Sequence, residues 1–122
     1  VKAYCCIASN AKDFARFGKL YKDYGKWNGQ QVLDSSFIAK SITPRFPESP
    51  EYGYGWWLKQ QNGKDFFMMR GHLGQYVIVQ PEDNVIIVRL GHQKSPDNNT
   101  HIFSNDITTY IKEGYNMLNS KL

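Results

Sequence analysis

Two turn signals in the second half of the chain constrain its fold more than any other feature of the sequence. Asn62-Gly63 is a pair typical of two-residue β-hairpin turns, and residues 81–84, Pro-Glu-Asp-Asn, have the composition of a β-turn. Runs rich in β-branched and aromatic side chains flank both turns, at residues 54–60, 65–70, 76–80 and 85–90. We therefore predict an antiparallel meander of three to four strands.

Helical patterns lie on either side of this predicted sheet. Residues 11–24 repeat apolar side chains at three- and four-residue spacing behind a capping residue, Ser9 or Asn10, and a short second helix is predicted over residues 35–41. A final helix has an apolar stripe made of Ile107, Tyr110, Ile111, Tyr115 and Leu118. This order predicts an α+β fold with N- and C-terminal helices flanking the sheet. We expect the first and last helices to share one face of it.

Length and composition fit a single folded domain with one core. The chain has 122 residues, of which 41% are apolar and 15% aromatic, too many for a disordered segment. Its net charge of +4 is spread without a basic run, so nucleic-acid binding is not predicted. No stretch is long and apolar enough for a membrane span. His72, His92 and His101 lack the spacing of a metal site, and neither a metal nor a cofactor is predicted.

Cys5 and Cys6 are adjacent in the sequence. Because neighbouring side chains diverge along an extended chain, we expect the two sulfurs not to pair. No basic or His residue lies close in sequence to activate either thiol. The sequence therefore predicts two buried, structural thiols.

Three further stretches together resemble one family of enzymes. They are residues 9–18 (Ser-Asn-Ala-Lys-Asp-Phe-Ala-Arg-Phe-Gly), residues 52–57 (Tyr-Gly-Tyr-Gly-Trp-Trp) and residues 70–76 (Arg-Gly-His-Leu-Gly-Gln-Tyr). With Trp27-Asn28-Gly29 between the first two, the likeness spans nearly the whole chain. It resembles the C-terminal part of the serine β-lactamase-like hydrolases, which include class C β-lactamases, D-alanyl-D-alanine carboxypeptidases, esterases and amide hydrolases. The resemblance implies a partial β-lactamase/transpeptidase-like fold.

The resemblance also implies an active-site edge. In the family, a Lys-Thr-Gly triplet lies on the strand beside the active site, and the N–H of the next residue forms half of the oxyanion hole. Met69-Arg70-Gly71 takes the place of the triplet here, so the resemblance assigns the oxyanion donor to the backbone N–H of His72. Gly74 and Gln75 stand where the family often has two glycines. Because the Lys and Thr are missing, the resemblance points towards ester or amide hydrolysis and away from β-lactam substrates.

Residues around this edge are predicted to bind the substrate. The candidates are Met69, Arg70, Gly71, Gly74, Gln75, Trp56 and Trp57. Arg70 can clamp a carboxylate with its guanidinium or point to solvent, and the sequence leaves both readings open. Trp56 and Trp57 are adjacent on a predicted strand and so face opposite ways, one into the core and the other towards the cleft or a helix.

The family has two further motifs: its nucleophile is a Ser followed three residues later by Lys, and its proton-handling residue is the Tyr of a Tyr-x-Asn segment. In family members both motifs lie N-terminal to the region that this chain resembles. Ser9-Asn10-Ala11-Lys12 matches the first pattern, but capping of a helix explains the serine. Residues 1–122 open on Val and an apolar run, and we expect them to be the C-terminal segment of a hydrolase domain, inactive alone. The resemblance implies a small-molecule or peptide-like substrate and an exported parent protein. The isolated piece is expected to form homo-oligomers.

A second hypothesis is a non-catalytic module. It would bind a peptide or a cell-wall glycan through the exposed aromatic side chains of Tyr52, Tyr54, Trp56 and Trp57. The coding sequence upstream of Val1 separates the two hypotheses, because a Ser-x-x-Lys and a Tyr-x-Asn in that sequence would favour the hydrolase.

Overall fold

The computed structural model describes Lys2, residues 5–96 and residues 102–120. This part of the chain contains helices, a four-stranded antiparallel sheet and a small two-stranded hairpin. In chain order the elements are α1 (Ala11–Lys22), β1 (Lys26–Trp27), β2 (Gln30–Gln31), α2 (Ser35–Ser41), β3 (Trp57–Gln61), β4 (Lys64–Arg70), β5 (Tyr76–Gln80), β6 (Val85–Arg89) and α3 (Asn105–Asn119). The predicted α+β fold, with helices flanking an antiparallel sheet, is confirmed.

The four strands of the main sheet lie in chain order, β3-β4-β5-β6, and each is antiparallel to the next. The β3–β4 turn is the predicted pair Asn62-Gly63, whose φ angles of 52° and 74° are the left-handed values that a two-residue type I′ turn needs. The β5–β6 turn closes with a hydrogen bond of 3.1 Å from the Asn84 N–H to the Pro81 carbonyl. Residues 54–56 were predicted as the start of the first strand, but the chain bends there and β3 begins later.

Both faces of this sheet are covered, each by a different helix. The α3-side core contains Phe66, Met68, Tyr76, Ile78, Ile107 and Ile111, and the α1-side core contains Trp56, Phe67, Val77 and Val79, with Phe14 and Tyr21 of α1 packed against it. All five residues of β5 are buried, because alternate side chains enter opposite cores. The prediction that α1 and α3 share a face is therefore wrong. An apolar run without polar alternation needs cover on both sides.

Helix α1 begins as its sequence predicts. The Asn10 side chain accepts a hydrogen bond of 3.0 Å from the Asp13 N–H, and the Ser9 hydroxyl donates to the Asp13 carboxylate at 3.1 Å. Both residues therefore serve the helix start. At the other end the chain leaves the helix through Tyr24 and Gly25, which have left-handed φ angles of 52° and 82°.

A small hairpin and α2 lie between α1 and the main sheet. Strands β1 and β2 pair across Asn28-Gly29, whose φ angles of 48° and 80° are left-handed. The Asp34 side chain accepts the Phe37 N–H at 2.8 Å and so caps α2, whose bounds match the predicted helix.

Helix α3 packs most of its predicted stripe against the sheet. Ile107 and Ile111 are buried, and Tyr110 and Tyr115 pack beside them. Leu118, in the last turn, lies outside this contact and is 45% exposed, so its predicted place in the stripe is wrong. Within the described residues, no helix combines the length and the apolar character needed to cross a membrane.

Cys5 and Cys6 differ from their prediction. Their sulfurs are joined in a disulfide, and neither residue is buried. The prediction assumed an extended chain, but Cys6 has a φ of 74°, and this left-handed conformation departs from the extended geometry in which neighbouring side chains diverge.

Candidate functional site

A cleft of about 260 Å³ opens at one end of the main sheet, on the face that α3 covers. Three strand ends meet there, because β3 starts at Trp57, β4 ends at Arg70 and β5 starts at Tyr76. Arg70 and Tyr76 are paired across β4 and β5. The residues that line the cleft are Trp57, Arg70, Gly71, His72, Tyr76, Lys94 and Ser104. Among the described residues, this lining includes two cationic side chains and no carboxylate.

The loop between β4 and β5 forms one rim of the cleft. Its Gly71 N–H donates to the Gln75 carbonyl at 2.7 Å. The Gln75 side chain accepts the Leu73 N–H at 3.3 Å and donates to the Gly91 carbonyl at 2.5 Å. These bonds leave the backbone N–H of His72 without an acceptor among the described residues. Within the described part of the chain, the His72 N–H is therefore available as a hydrogen-bond donor beside the cleft.

Gly74 shapes the same loop. Its φ is 85°, and the Arg89 side chain donates to its carbonyl at 2.5 Å. A Cβ at this position would collide with the Arg89 guanidinium. Both the backbone conformation and the lack of space therefore require glycine here.

Arg70 lies against an aromatic pair. Its guanidinium carbon is 4.2 Å from the centre of the Trp57 ring and 5.7 Å from the centre of the Phe103 ring. Its Nη1 donates to the Ile102 carbonyl. Trp57 meets Phe103 edge-on at 6.2 Å between ring centres. The guanidinium is therefore held in the cleft wall and does not extend freely into solvent.

A network of hydroxyl and carboxylate groups ties β5 to the start of α3. The Tyr76 hydroxyl lies 3.1 Å from the Ser104 Oγ and 3.3 Å from the Asp106 carboxylate oxygens. Ser104 donates to Asp106 at 2.5 Å, and the Ser95 N–H donates to the same carboxylate at 3.3 Å. Asp106 thus joins three segments that are distant in sequence.

Burial and hydrogen bonding set the protonation of this network. Burial alone would raise the pKa of Asp106, but the hydrogen bonds from Ser104, Ser95 and Tyr76 outweigh it and lower this pKa below the usual 3.8. Burial raises the pKa of Tyr76, and the neighbouring carboxylate adds to the effect. At neutral pH the carboxylate is therefore ionised and the phenol keeps its proton.

Comparison with known proteins identifies the family. A family model described as Beta-lactamase matches residues 5–105. The chain belongs to the β-lactamase family. A solved structure of a Bacillus anthracis protein described as a 6-aminohexanoate-dimer hydrolase is similar, with 25% sequence identity and a TM-score of 0.62. The likeness covers 88% of this chain but 28% of that protein. No curated protein matches the sequence.

The family expected from the sequence, with its partial β-lactamase-like fold, is thus confirmed. The structure divides the predicted site residues into three groups. Those that line the cleft are Trp57, Arg70, Gly71 and His72. Gly74 and Gln75 shape the loop behind its rim and do not line it. Trp56 and Met69 pack with the α1-side core, on the other face of the sheet. Their placement among the substrate-binding residues is therefore corrected, because neighbouring residues of a strand face opposite ways.

Three lining residues were missed by the sequence analysis: Tyr76, Lys94 and Ser104. Tyr76 could have been found, because it pairs with Arg70 across β4 and β5 and therefore shares its face. Lys94 and Ser104 lie in irregular segments after β6, where no periodic pattern signals their position.

The aromatic residues of the alternative hypothesis do not form one exposed surface. Trp56 is 3% exposed and belongs to the α1-side core. Tyr52 packs edge-on against Trp57 at 4.9 Å between ring centres. Tyr54 is 45% exposed, but it stacks on Phe37 of α2. A flat ligand would find no shared platform on these four rings.

The described residues contain no group of three or more His, Cys, Asp or Glu side chains that could hold a metal ion. His72 and His92 belong to this part of the chain, and His101 lies outside it.

Proposed function

We propose that this chain provides the oxyanion-binding edge of a serine hydrolase that cleaves ester or amide bonds through an acyl-enzyme. The observation that carries the proposal is the backbone N–H of His72, a residue that lines the cleft, which has no acceptor among the described residues. When a nucleophile attacks a carbonyl group, negative charge develops on the carbonyl oxygen, and a fixed N–H donor stabilises that charge. Any side chain can occupy such a position, because the donor belongs to the backbone.

Family membership supports acyl transfer as the reaction class, and the similar structure supports an amide substrate. The substrate in that protein's name, a 6-aminohexanoate dimer, contains an amide bond and has an ammonium group at one end and a carboxylate at the other. Among the described residues, the cleft lining has two cationic side chains, Arg70 and Lys94, which can attract a carboxylate group of a substrate. We therefore favour an amide or ester that carries a carboxylate as the substrate.

In this proposal the serine nucleophile, its lysine and the proton-handling tyrosine are encoded upstream of Val1. The serine would attack the substrate carbonyl, the lysine and tyrosine would move its proton, and the His72 N–H would hold the oxyanion until the leaving group departs. Water would then release the acyl group. The match to 28% of the similar protein supports a longer catalytic domain of this kind.

The test uses the longer chain, extended through its upstream coding sequence. We expect it to contain Ser-x-x-Lys and Tyr-x-Asn and to hydrolyse p-nitrophenyl esters. His72→Ala keeps the backbone donor and should stay within a few-fold of the parent, whereas His72→Pro removes the donor and should lower kcat/KM about a hundredfold. Leu73→Pro is the matched control, because it disturbs the same loop but removes an N–H that bonds to Gln75. Equal rates for His72→Pro and His72→Ala would refute the oxyanion role.

The 122-residue chain alone should be inert. Without a nucleophile and base, binding and oxyanion contributions cannot complete a turnover. The purified chain would be assayed with p-nitrophenyl acetate and a chromogenic cephalosporin. Turnover that disappears in Ser9→Ala would show that Ser9 is a nucleophile and not only a helix-capping residue.

A further inference from the structure

Arg70 is the cleft residue whose contacts say most about its role. Both its charge and its planar shape are already engaged within the protein. The guanidinium carbon lies 4.2 Å from the centre of the Trp57 ring, which is within the range of a strong cation–π contact. Phe103 approaches the same group at 5.7 Å, and the Ile102 carbonyl accepts a hydrogen bond from its Nη1.

The wall segment, residues 102–104, depends on these contacts. Ile102 is 53% exposed, so its own side chain anchors the segment weakly. Phe103 is held between the Trp57 edge and the Arg70 guanidinium. At the other end, Ser104 is 7% exposed and bonds to Tyr76 and Asp106. The wall segment is therefore fixed to the sheet at two points, and Arg70 is one of them.

We infer that Arg70 is a positioning residue that holds the wall segment against Trp57 and so fixes the width of the cleft, instead of clamping a carboxylate of the substrate. The inference about catalysis rests on the proposed function, whereas the inference that Arg70 holds the wall segment does not. Its physical basis is that the planar guanidinium can stack on an aromatic ring and donate in its own plane at the same time. A lysine has the same charge but not this geometry.

Lys59 provides an internal comparison for this role. Its Nζ lies 5.7 Å from the centre of the Phe103 ring, the same distance as the Arg70 guanidinium carbon. Burial lowers the pKa of Lys59. It makes neither the stacking contact with Trp57 nor the bond to Ile102. If charge near Phe103 were enough to hold the wall segment, both residues would contribute alike.

The first experiment measures amide hydrogen exchange of the wall segment in the 122-residue chain. The Ile107 N–H reports on the wall segment because it donates to the Ser104 carbonyl at 3.2 Å. Loss of the stacking contact and the hydrogen bond of Arg70 should make exchange of this amide about tenfold faster in Arg70→Ala. Arg70→Lys should behave like Arg70→Ala, and Lys59→Ala should behave like the parent. Wild-type protection in Arg70→Ala or in Arg70→Lys would overturn the inference. Amides in β5 serve as the reference for global stability.

The second experiment separates positioning from substrate clamping in the longer hydrolase. Two p-nitrophenyl esters are compared, the neutral acetate and the half-ester of glutarate, which carries a carboxylate. A positioning role predicts that Arg70→Lys lowers kcat/KM per titrated active site by the same factor for both esters. A fall confined to the carboxylate ester would show a clamp and overturn the inference. An inactive parent would refute the proposed function, while the exchange experiment would still decide the role of Arg70.

Discussion

Gly18 of α1 lies against Val79 of β5, so closely that a Cβ added to Gly18 would be 3.1 Å from a Val79 methyl carbon. The same Cβ would be 3.1 Å from Val77. A large side chain at this position must therefore push α1 away from the sheet. We expect Gly18→Leu to lower the free energy of unfolding by about 1–3 kcal/mol, measured by urea denaturation.

The control for this prediction is Lys12→Leu, because Lys12 lies on the same helix but is exposed. This change should alter the free energy of unfolding by less than about 0.5 kcal/mol. Equal losses in the two variants would mean that the close approach at Gly18 does not limit the packing of α1.

Gly74 should tolerate alanine less well than Gly63. Both have positive φ, 85° and 74°, so both substitutions incur backbone strain of about 1 kcal/mol. Space distinguishes them, because a Cβ at Gly63 meets nothing within 4 Å, whereas one at Gly74 would be 2.9 Å from the backbone carbonyl oxygen of Gln93. We expect a larger loss of stability in Gly74→Ala, and a shift of the His72 amide resonance in that variant alone. The opposite order of melting temperatures would contradict the loop geometry.

Asp106 should stabilise the fold in a pH-dependent way. Its pKa in the folded protein is lower than the usual 3.8, so its contribution is fully present above that value and is lost as the pH falls through the folded pKa. Asp106→Asn should therefore be less stable than the parent at pH 7, and the difference should shrink towards pH 2. Thermal unfolding across this pH range measures the difference in stability. The control is Glu113→Gln, which removes an exposed carboxylate. A difference that is constant with pH would exclude the carboxylate as the cause.

The Cys5–Cys6 bond gives a direct chemical prediction. Because the structure leaves no free cysteine, iodoacetamide should not modify the chain purified without reductant. After reduction both cysteines should be alkylated, which mass spectrometry detects. Alkylation of both cysteines in the unreduced chain would instead show that they are free thiols, as the sequence predicts.

The 122-residue chain should self-associate as its concentration rises. Among the described strands β6 pairs with β5 alone, and a strand edge without a partner can recruit a strand of another molecule. Large apolar side chains are also exposed, including Ile7 at 62% and Met117 at 64%. Sedimentation velocity over a hundredfold concentration range should show a growing oligomer fraction. A chain that stays monomeric throughout would show that the open edge and exposed side chains do not drive association.

The turns of the main sheet could be predicted from sequence because each depends on local chemistry. Asn62 and Gly63 both tolerate positive φ, and few other pairs do. The placement of the helices could not be obtained in this way. It depends on which face of β5 each helix covers, and β5 is apolar on both faces. Alternation along the strand shows that Val77 and Ile78 enter different cores, but it does not show which helix covers each core.

The candidate site was predictable where it lies on the strands. Arg70 and His72 follow from the end of β4 and the family resemblance, and alternation separates Trp57 from Trp56. Ser104 and Asp106 were not predictable, because their contact with Tyr76 spans a long loop whose path no local pattern determines. Side chains that meet through tertiary packing alone leave no signal in the sequence.

Both faces of β5 are buried, and this burial also limits insertions and deletions within the strand during evolution. Removing or adding one residue within it would reverse the direction of every following side chain. The valines that pack against α1 would then turn towards α3, and the isoleucine between them would meet the close approach of Gly18. Substitutions that keep size are therefore open to this strand, whereas gaps and insertions between homologous sequences should fall in the loops on either side of it.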